Sequence, residues 1–557
     1  MNKPSAKKNL CLLILGMILL VSIPALAAAD FKNVIMLIPD GCGVAHTTVT
    51  RWYKGAPLHI DRLNVGMMRN YNSNSILTDS APAATSYACG IKTADRFISV
   101  LPNSTTIPGV PAVPAESYYK PVPTLLEVAK LQGKSVGMAS ISMVQHATPA
   151  AFSAHTYTRS DYTTIAVQQV YQDMDVMLGG GRENLLPAKE GGVRKDSVNY
   201  VNVLKTLGYQ IVSTRDELLK VKKPRIWGLF AMNEMAHDFD RELIKPDEPS
   251  LAEMTEKALE LLSSNEKGFF LMVEASKIDD AAHANDPVGV VSDYLAFDKA
   301  VGKALDFAEK DGQTLVVVVA DHDTGGMSLG STKATSTNMS VGALVDPLKK
   351  AVLTGEGLEA MLSGTRTPNV VREKVAKYYG ISNLTDAEVD AIIKAKAAAM
   401  NSTVGPMMST RSVIGWTTGS HTGMDLPVYF YGLTRPLKTM ENTDVALICA
   451  QAMGFKLDDF DARLYSPADR LFGPRGANVY LDKKDAANPI LVVTLGRKTA
   501  YLPINTNRLL VRIQYDNQTL QDETQLEGLV IQAAPTDRVY LPQEVLQLFI
   551  HAGTWLD

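Results

Sequence analysis

Three short apolar runs each end at, or one residue before, side chains that can bind metal ions. Val34–Ile38 leads into Pro39-Asp40-Gly41, Phe269–Val273 into Glu274, and Thr314–Ala320 into Asp321-His322. Runs of this length suit strands buried on both faces. In open α/β sheets, ligands bind beyond the carboxyl ends of the strands. One acid after one strand is ordinarily a cap or loop residue. Three strands delivering Asp, Glu and Asp-His to one edge would make a cluster of hard and borderline metal ligands. Ser135–Ala139 and Pro427–Tyr431 read as further buried parallel strands. Helical patterns at Thr124–Leu131, Leu251–Leu262 and Tyr294–Glu309 lie between the runs. The alternation predicts an α/β fold, a three-layer sandwich around a mostly parallel sheet.

Two regions break that rhythm. Residues about 330–415 carry helix-like segments near Leu358–Leu362, Val370–Tyr379 and Asp386–Met400, and read as a helical insertion. After Pro474 come short β-like runs at Asn478–Leu481, Ile490–Leu495, Leu509–Tyr515, Leu529–Gln532 and Val539–Leu541. The expected division is a catalytic domain over 30–473 and a small β-rich accessory module over 474–557. Every chemical motif lies before Pro474, so the module is expected to take no part in catalysis.

Residues 1–29 have the pattern of an export signal. Lys3, Lys7 and Lys8 precede an apolar run from Leu10 to Ile23, Pro24 breaks it, and Ala25-Leu26-Ala27 supplies small residues for cleavage. No later run approaches the ~18 residues of a membrane span. A periplasmic or secreted protein without a membrane anchor is expected. Cleavage would remove three lysines and no acid, changing the net charge from −4 to −7. That balance argues against a nucleic-acid or anionic-membrane binder. Cys42, Cys89 and Cys449 would remain. An odd number makes a disulfide framework a poor reading and small buried residues a better one; a single Cys42–Cys89 bridge is left open.

Two more elements carry chemistry. Asp279 and His283 stand at i and i+4, so on a helical turn they share a face and could help hold one zinc ion. His421, in Gly419-Ser420-His421-Thr422-Gly423, could be the next ligand. Ser80, in Thr78-Asp79-Ser80-Ala81-Pro82, sits where a helix can begin, with Pro82 tolerated in its first turn. The ordinary reading is a capping serine. As a nucleophile it would need activation, and with no histidine nearby in sequence a metal ion would provide it.

Taken in order, these motifs resemble the alkaline phosphatase family, zinc-dependent phosphomonoesterases of the alkaline phosphatase/sulfatase superfamily. The resemblance runs over roughly residues 31–455. It rests on Pro39-Asp40-Gly41, Asp79-Ser80-Ala81, His146-Ala147-Thr148-Pro149-Ala150, His155 through Arg159, Gly179-Gly180-Gly181, Glu274 with Asp279 and His283, Asp321-His322-Asp323-Thr324-Gly325-Gly326, and Ser420-His421-Thr422-Gly423. It implies hydrolysis of small phosphate monoesters through a phosphoserine at Ser80. It implies one zinc on Asp279, His283 and His421, and a second on Asp40, Asp321, His322 and the Ser80 oxygen. A magnesium site would use Asp40, Thr148 and Glu274 with His146 nearby, and Arg159 would grip two phosphate oxygens. A homodimer is implied as well. Two metals ~4 Å apart can stabilise the entering and leaving oxygens of an in-line displacement.

The sequence departs from the family pattern at three places. Pro39 stands where relatives usually have glycine. His146 stands where some have aspartate, and Asp280 where some have a basic or aromatic residue. The last two bear on the third metal and on phosphate affinity. The alternatives are a phosphodiesterase or sulfatase of the same superfamily and a non-enzymatic exported metal-binding protein. Ser80-Ala81-Pro82-Ala83-Ala84 partly matches the sulfatase signature, but Ala84 replaces its arginine. The complete set of nucleophile, arginine and zinc ligands argues against the non-enzymatic protein.

Overall fold

The computed structural model describes residues 31–552, apart from 333, 365, 434–437 and 517. The expected export signal lies outside the described residues. Among the described residues no helix is long and apolar enough to cross a membrane.

A ten-stranded sheet carries the fold. Its main strands are β1 (Asn33–Pro39), β2 (Asn64–Arg69), β3 (Ser135–Met143), β4 (Val176–Gly180), β5 (Gln210–Val212), β6 (Ile226–Leu229), β7 (Phe269–Ala275) and β8 (Thr314–Val319). From one edge the order is Met440–Glu441, β2, Leu426–Tyr431, β8, β1, β7, β3, β4, β6, β5. The seven strands from β8 to β5 pair in parallel. Leu426–Tyr431 is antiparallel to both its neighbours, which corrects the parallel expectation for it. The chain reaches this strand from Ser420-His421-Thr422 at the carboxyl ends of the parallel strands, so it can only run back across the sheet. Its apolar composition could not reveal that direction.

Val34 through Ile38 are wholly buried, as a strand covered on both faces must be. Leu251–Leu262 and Pro287–Asp311 pack together on one face. Ser80–Cys89, Leu125–Leu131, Ala147–Ser153 and Thr443–Ala452 form the other helical group. The pattern read from Tyr294 to Glu309 is the later part of a 25-residue helix that begins at Pro287.

The region 330–415 is mainly helical. Leu358, Leu362, Val371, Tyr379, Ile392 and Val404 form an apolar cluster with Val288, Val290 and Val291 of the long helix. Beyond Pro474 a five-stranded antiparallel meander runs from Asn478 to Gln525. Phe472, Leu491, Val493, Leu502, Val511 and Phe549 share its core. Cys42, Cys89 and Cys449 are buried and unpaired, and burial pushes their thiols up. The Cys42–Cys89 bridge left open by the sequence is not formed.

Candidate active site and metal centre

β7, β1 and β8 are adjacent at the middle of the sheet, and their carboxyl ends carry Glu274, Asp40 and Asp321. All three are fully buried. Gly41 turns the chain away from β1 with φ of +67°, and a Cβ there would lie 2.4 Å from Asp279 Oδ1. Glycine is required on both counts. Gly41 N–H donates to Asp321 Oδ1 at 3.0 Å, as does His322 N–H.

The helix Lys277–His283 puts Asp279 and His283 on one face, with His283 Nε2 3.2 Å from Asp279 Oδ2. His421 joins them because Thr422-His421 pairs antiparallel with Asp323-Thr324. The tautomers follow from the second nitrogen of each ring. His283 Nδ1 donates to Gly419 O at 2.9 Å, and His421 Nδ1 to Thr78 O at 3.0 Å. The two Nε2 atoms then face each other at 3.3 Å beside the Asp279 carboxylate, whose hydrogen bond holds the His283 imidazole up at about 9. Two imidazole nitrogens and a carboxylate brought this close suit a cation between them.

His322 is fixed in the same way. Its Nδ1 lies 3.1 Å from Thr324 Oγ1, and that hydroxyl donates to Asp279 Oδ1. Nδ1 is therefore a donor, and the ring turns Nε2 toward the cluster. Nε2 stands 3.1 Å from Ser80 Oγ, 3.4 Å from Asp321 Oδ2 and 3.5 Å from Asp40 Oδ1. His322 stacks on His421, with ring centroids 3.6 Å apart.

Three donor sets emerge, each with ligand atoms within 4.8 Å of one another: Asp279, His283 and His421; Asp40, Asp279 and His322; Asp40, His146 and Glu274. Asp279 thus stands between the first two sets, where the sequence reading gave it to one. Both Asp40 oxygens, Asp321 Oδ2, Glu274 Oε1 and Thr148 Oγ1 are buried without a hydrogen-bond partner. Such atoms cost about 1–3 kcal/mol each unless something satisfies them. The residues fit divalent cations: carboxylates and a hydroxyl for a hard ion, imidazoles and carboxylates for zinc. Burial and then the neighbouring Asp321, Asp279 and Glu274 push Asp40 well above the usual carboxylate range. Burial raises Glu274 to about 7, although Ser140 and Ser142 hydroxyls donate to its Oε2.

Ser80 is the first residue of the helix Ser80–Cys89, with Asp79 in the capping position. The capping reading of Ser80 is therefore incorrect. Asp79 Oδ1 is engaged by Arg159, whose Nη1 also lies 3.4 Å from Ser80 Oγ. Arg159 Nη2 donates to His146 Nε2 at 2.9 Å. Burial and the adjacent guanidinium lower the His146 imidazole to about 4, so it is neutral at working pH. Every predicted site residue lies in this one cluster. His155, quoted with the motifs, does not; it is buried against Glu127 and Tyr465.

The sequence reading missed the residues that orient the ligands. Thr324 sits inside the Asp-His-Asp-Thr motif and Asp79 beside Ser80, so both were on view. Ser140 and Ser142 lie on a strand that gave no such signal.

The sequence from 31 to 455 matches the family model described as alkaline phosphatase. The chain belongs to the alkaline phosphatase family. Alkaline phosphatase 3 of Bacillus subtilis is 34% identical over 462 residues, which cover 77% of this chain and 90% of that protein. The crystal structure of Thermus thermophilus alkaline phosphatase matches with a TM-score of 0.68 at 27% identity, covering 77% of this chain and 92% of that one. A histidine-to-aspartate variant of the TAB5 alkaline phosphatase, with magnesium bound in its M3 site, matches with a TM-score of 0.54 at 26% identity, over 77% of this chain and 99% of that one. As an alkaline phosphatase the protein is a phosphomonoesterase, and divalent metal ions belong to the family's chemistry.

Proposed function

We propose that this alkaline phosphatase is exported to the periplasm or medium and hydrolyses small phosphate monoesters through a phosphoserine at Ser80. The observation that carries this reading is the convergence of unpartnered carboxylate oxygens and imidazole Nε2 atoms beside the Ser80 hydroxyl. Asp279, His283 and His421 would hold one zinc ion, and Asp40, Asp321 and His322, with the Ser80 oxygen, a second. Asp40, Thr148 and Glu274, beside His146, would hold magnesium. When bound, the ions supply positive charge that stabilises the entering and leaving oxygens of the displacement.

The protein's own groups do the rest. Ser80 Oγ, buried at the start of its helix, attacks phosphorus as the alcohol leaves; water then cleaves the phosphoserine and releases inorganic phosphate. Arg159 is held near the reacting atom by Asp79 and His146. A phosphoryl group at Ser80 offers it two oxygens, the arrangement a planar guanidinium binds best. Thr324, Thr78 and Gly419 accept from the Nδ1 atoms and so turn each Nε2 toward the cluster. The division into a catalytic domain over 30–473 and an accessory module over 474–557, and assembly as a homodimer, belong to the same reading.

Reaction with a labelled phosphate ester, quenching at low pH and peptide mapping test it. Label is expected on Ser80, and none is expected in Ser80→Ala protein that retains its zinc. Label on another residue of the unmutated protein would refute the assignment.

A further inference from the structure

The family match ends at residue 455, yet side chains from beyond it reach the segment that carries Arg159. Tyr465 OH lies 2.7 Å from His155 Nε2 and also bonds Glu127. Asn505, between two strands of the C-terminal meander, reaches the same residue through Gln168. The Gln168 side chain is buried, and its amide grips both sides of the His155 backbone. Its Oε1 accepts from His155 N at 2.7 Å, and its Nε2 donates to His155 O at 3.0 Å. The second Nε2 hydrogen goes to Asn505 Oδ1 at 2.9 Å.

From His155 the chain is laid along residues 96–98. Thr156 exchanges backbone hydrogen bonds with Ile98 at 2.8 and 3.0 Å, and Arg159 N–H donates to Arg96 O at 2.9 Å. This ladder fixes where the Arg159 side chain starts. Its guanidinium then reaches Asp79, His146 and Ser80. Asn505 is itself fixed: its N–H donates to Val530 O at 2.7 Å, and its φ of +65° is a conformation asparagine tolerates.

We propose that the C-terminal region takes part in phosphate binding by positioning Arg159, through Asn505, Gln168 and His155. This rests on the reading of Arg159 as the phosphate-binding arginine, and it reverses the expectation that residues after Pro474 are irrelevant to catalysis. Asn505 is a positioning residue. Without its acceptor, the buried Gln168 amide loses a partner and the grip on His155 loosens. Misplacement by a fraction of an ångström is enough to weaken a two-point contact.

The test uses the full, zinc-loaded chain. Asn505→Gly removes the acceptor while suiting the positive φ; Asn505→Asp keeps the acceptor. The main readout is the dissociation constant for inorganic phosphate by titration calorimetry, with zinc content and melting temperature measured alongside. Asn505→Gly is expected to weaken phosphate binding roughly three- to tenfold at unchanged zinc content, and Asn505→Asp to restore it. In an Arg159→Ala background, Asn505→Gly should change phosphate binding no further. Unchanged binding in Asn505→Gly, or an equal loss with Arg159 absent, overturns the proposal. A lower melting temperature with normal phosphate binding shows a purely structural contact and overturns it too. Turnover of p-nitrophenyl phosphate by the unmutated protein reports separately on the phosphomonoesterase reading.

Discussion

His146 accepts a hydrogen bond from Arg159 through Nε2 and is held neutral by burial and by that cation. A neutral imidazole gives hydrated magnesium no charge to pair with, and magnesium prefers oxygen. His146→Asp should add a charged acceptor worth about 1.5–3 kcal/mol, roughly ten- to a hundredfold in magnesium affinity. Magnesium content after gel filtration of both proteins checks this. Full, non-exchanging magnesium in the unmutated protein would count against it. The same substitution would place a carboxylate against Arg159, so phosphate affinity should be measured as well.

At the scale of elements, His237 caps the helix Asp238–Ile244 and ties it to the long helix Pro287–Asp311. Burial pushes its imidazole down, but Asp293 at 2.6 Å outweighs that and holds it up at about 9; Lys277 opposes the shift and Glu356 adds to it. The pKa is raised above the unfolded value, near 6.5. Its stabilisation is therefore fully present below about pH 6.5 and is lost as the pH rises through about 9. The magnitude is on the order of 3 kcal/mol. Asp293→Asn should lower the melting temperature most near pH 6, and the gap to the unmutated protein should close toward pH 10. A gap that is constant across that range would sink the idea.

For the whole molecule, the central fact is that the middle of the sheet ends in buried carboxylates. β7, β1 and β8 are the core of the fold, and Glu274, Asp40 and Asp321 crowd together at their ends. Metal binding there is expected to be coupled to folding. An ion present at ~1,000 times its dissociation constant stabilises by about 4 kcal/mol per site. Chelation should therefore lower the calorimetric melting temperature, and zinc should restore it. An unchanged melting temperature after proven metal loss would show that the fold does not depend on metal at these clusters.

The sequence already held the strands of the sheet's centre, the acids that follow them and the i,i+4 pair Asp279–His283. Those are local facts: apolar runs of strand length, and spacing on one helix. The β-rich character of the chain after Pro474 was visible for the same reason. Contacts across long separations were not. His322 meets Ser80 and Asp279 stands between two donor sets only because the sheet order brings β1, β7 and β8 side by side. The antiparallel course of Leu426–Tyr431 depends on which side of the sheet the preceding chain emerges, and composition carries no direction. Asn505 carries no motif. Its link to Arg159 comes from a buried glutamine amide that can satisfy its second hydrogen only on an oxygen from a distant part of the chain, a partner that folding alone supplies.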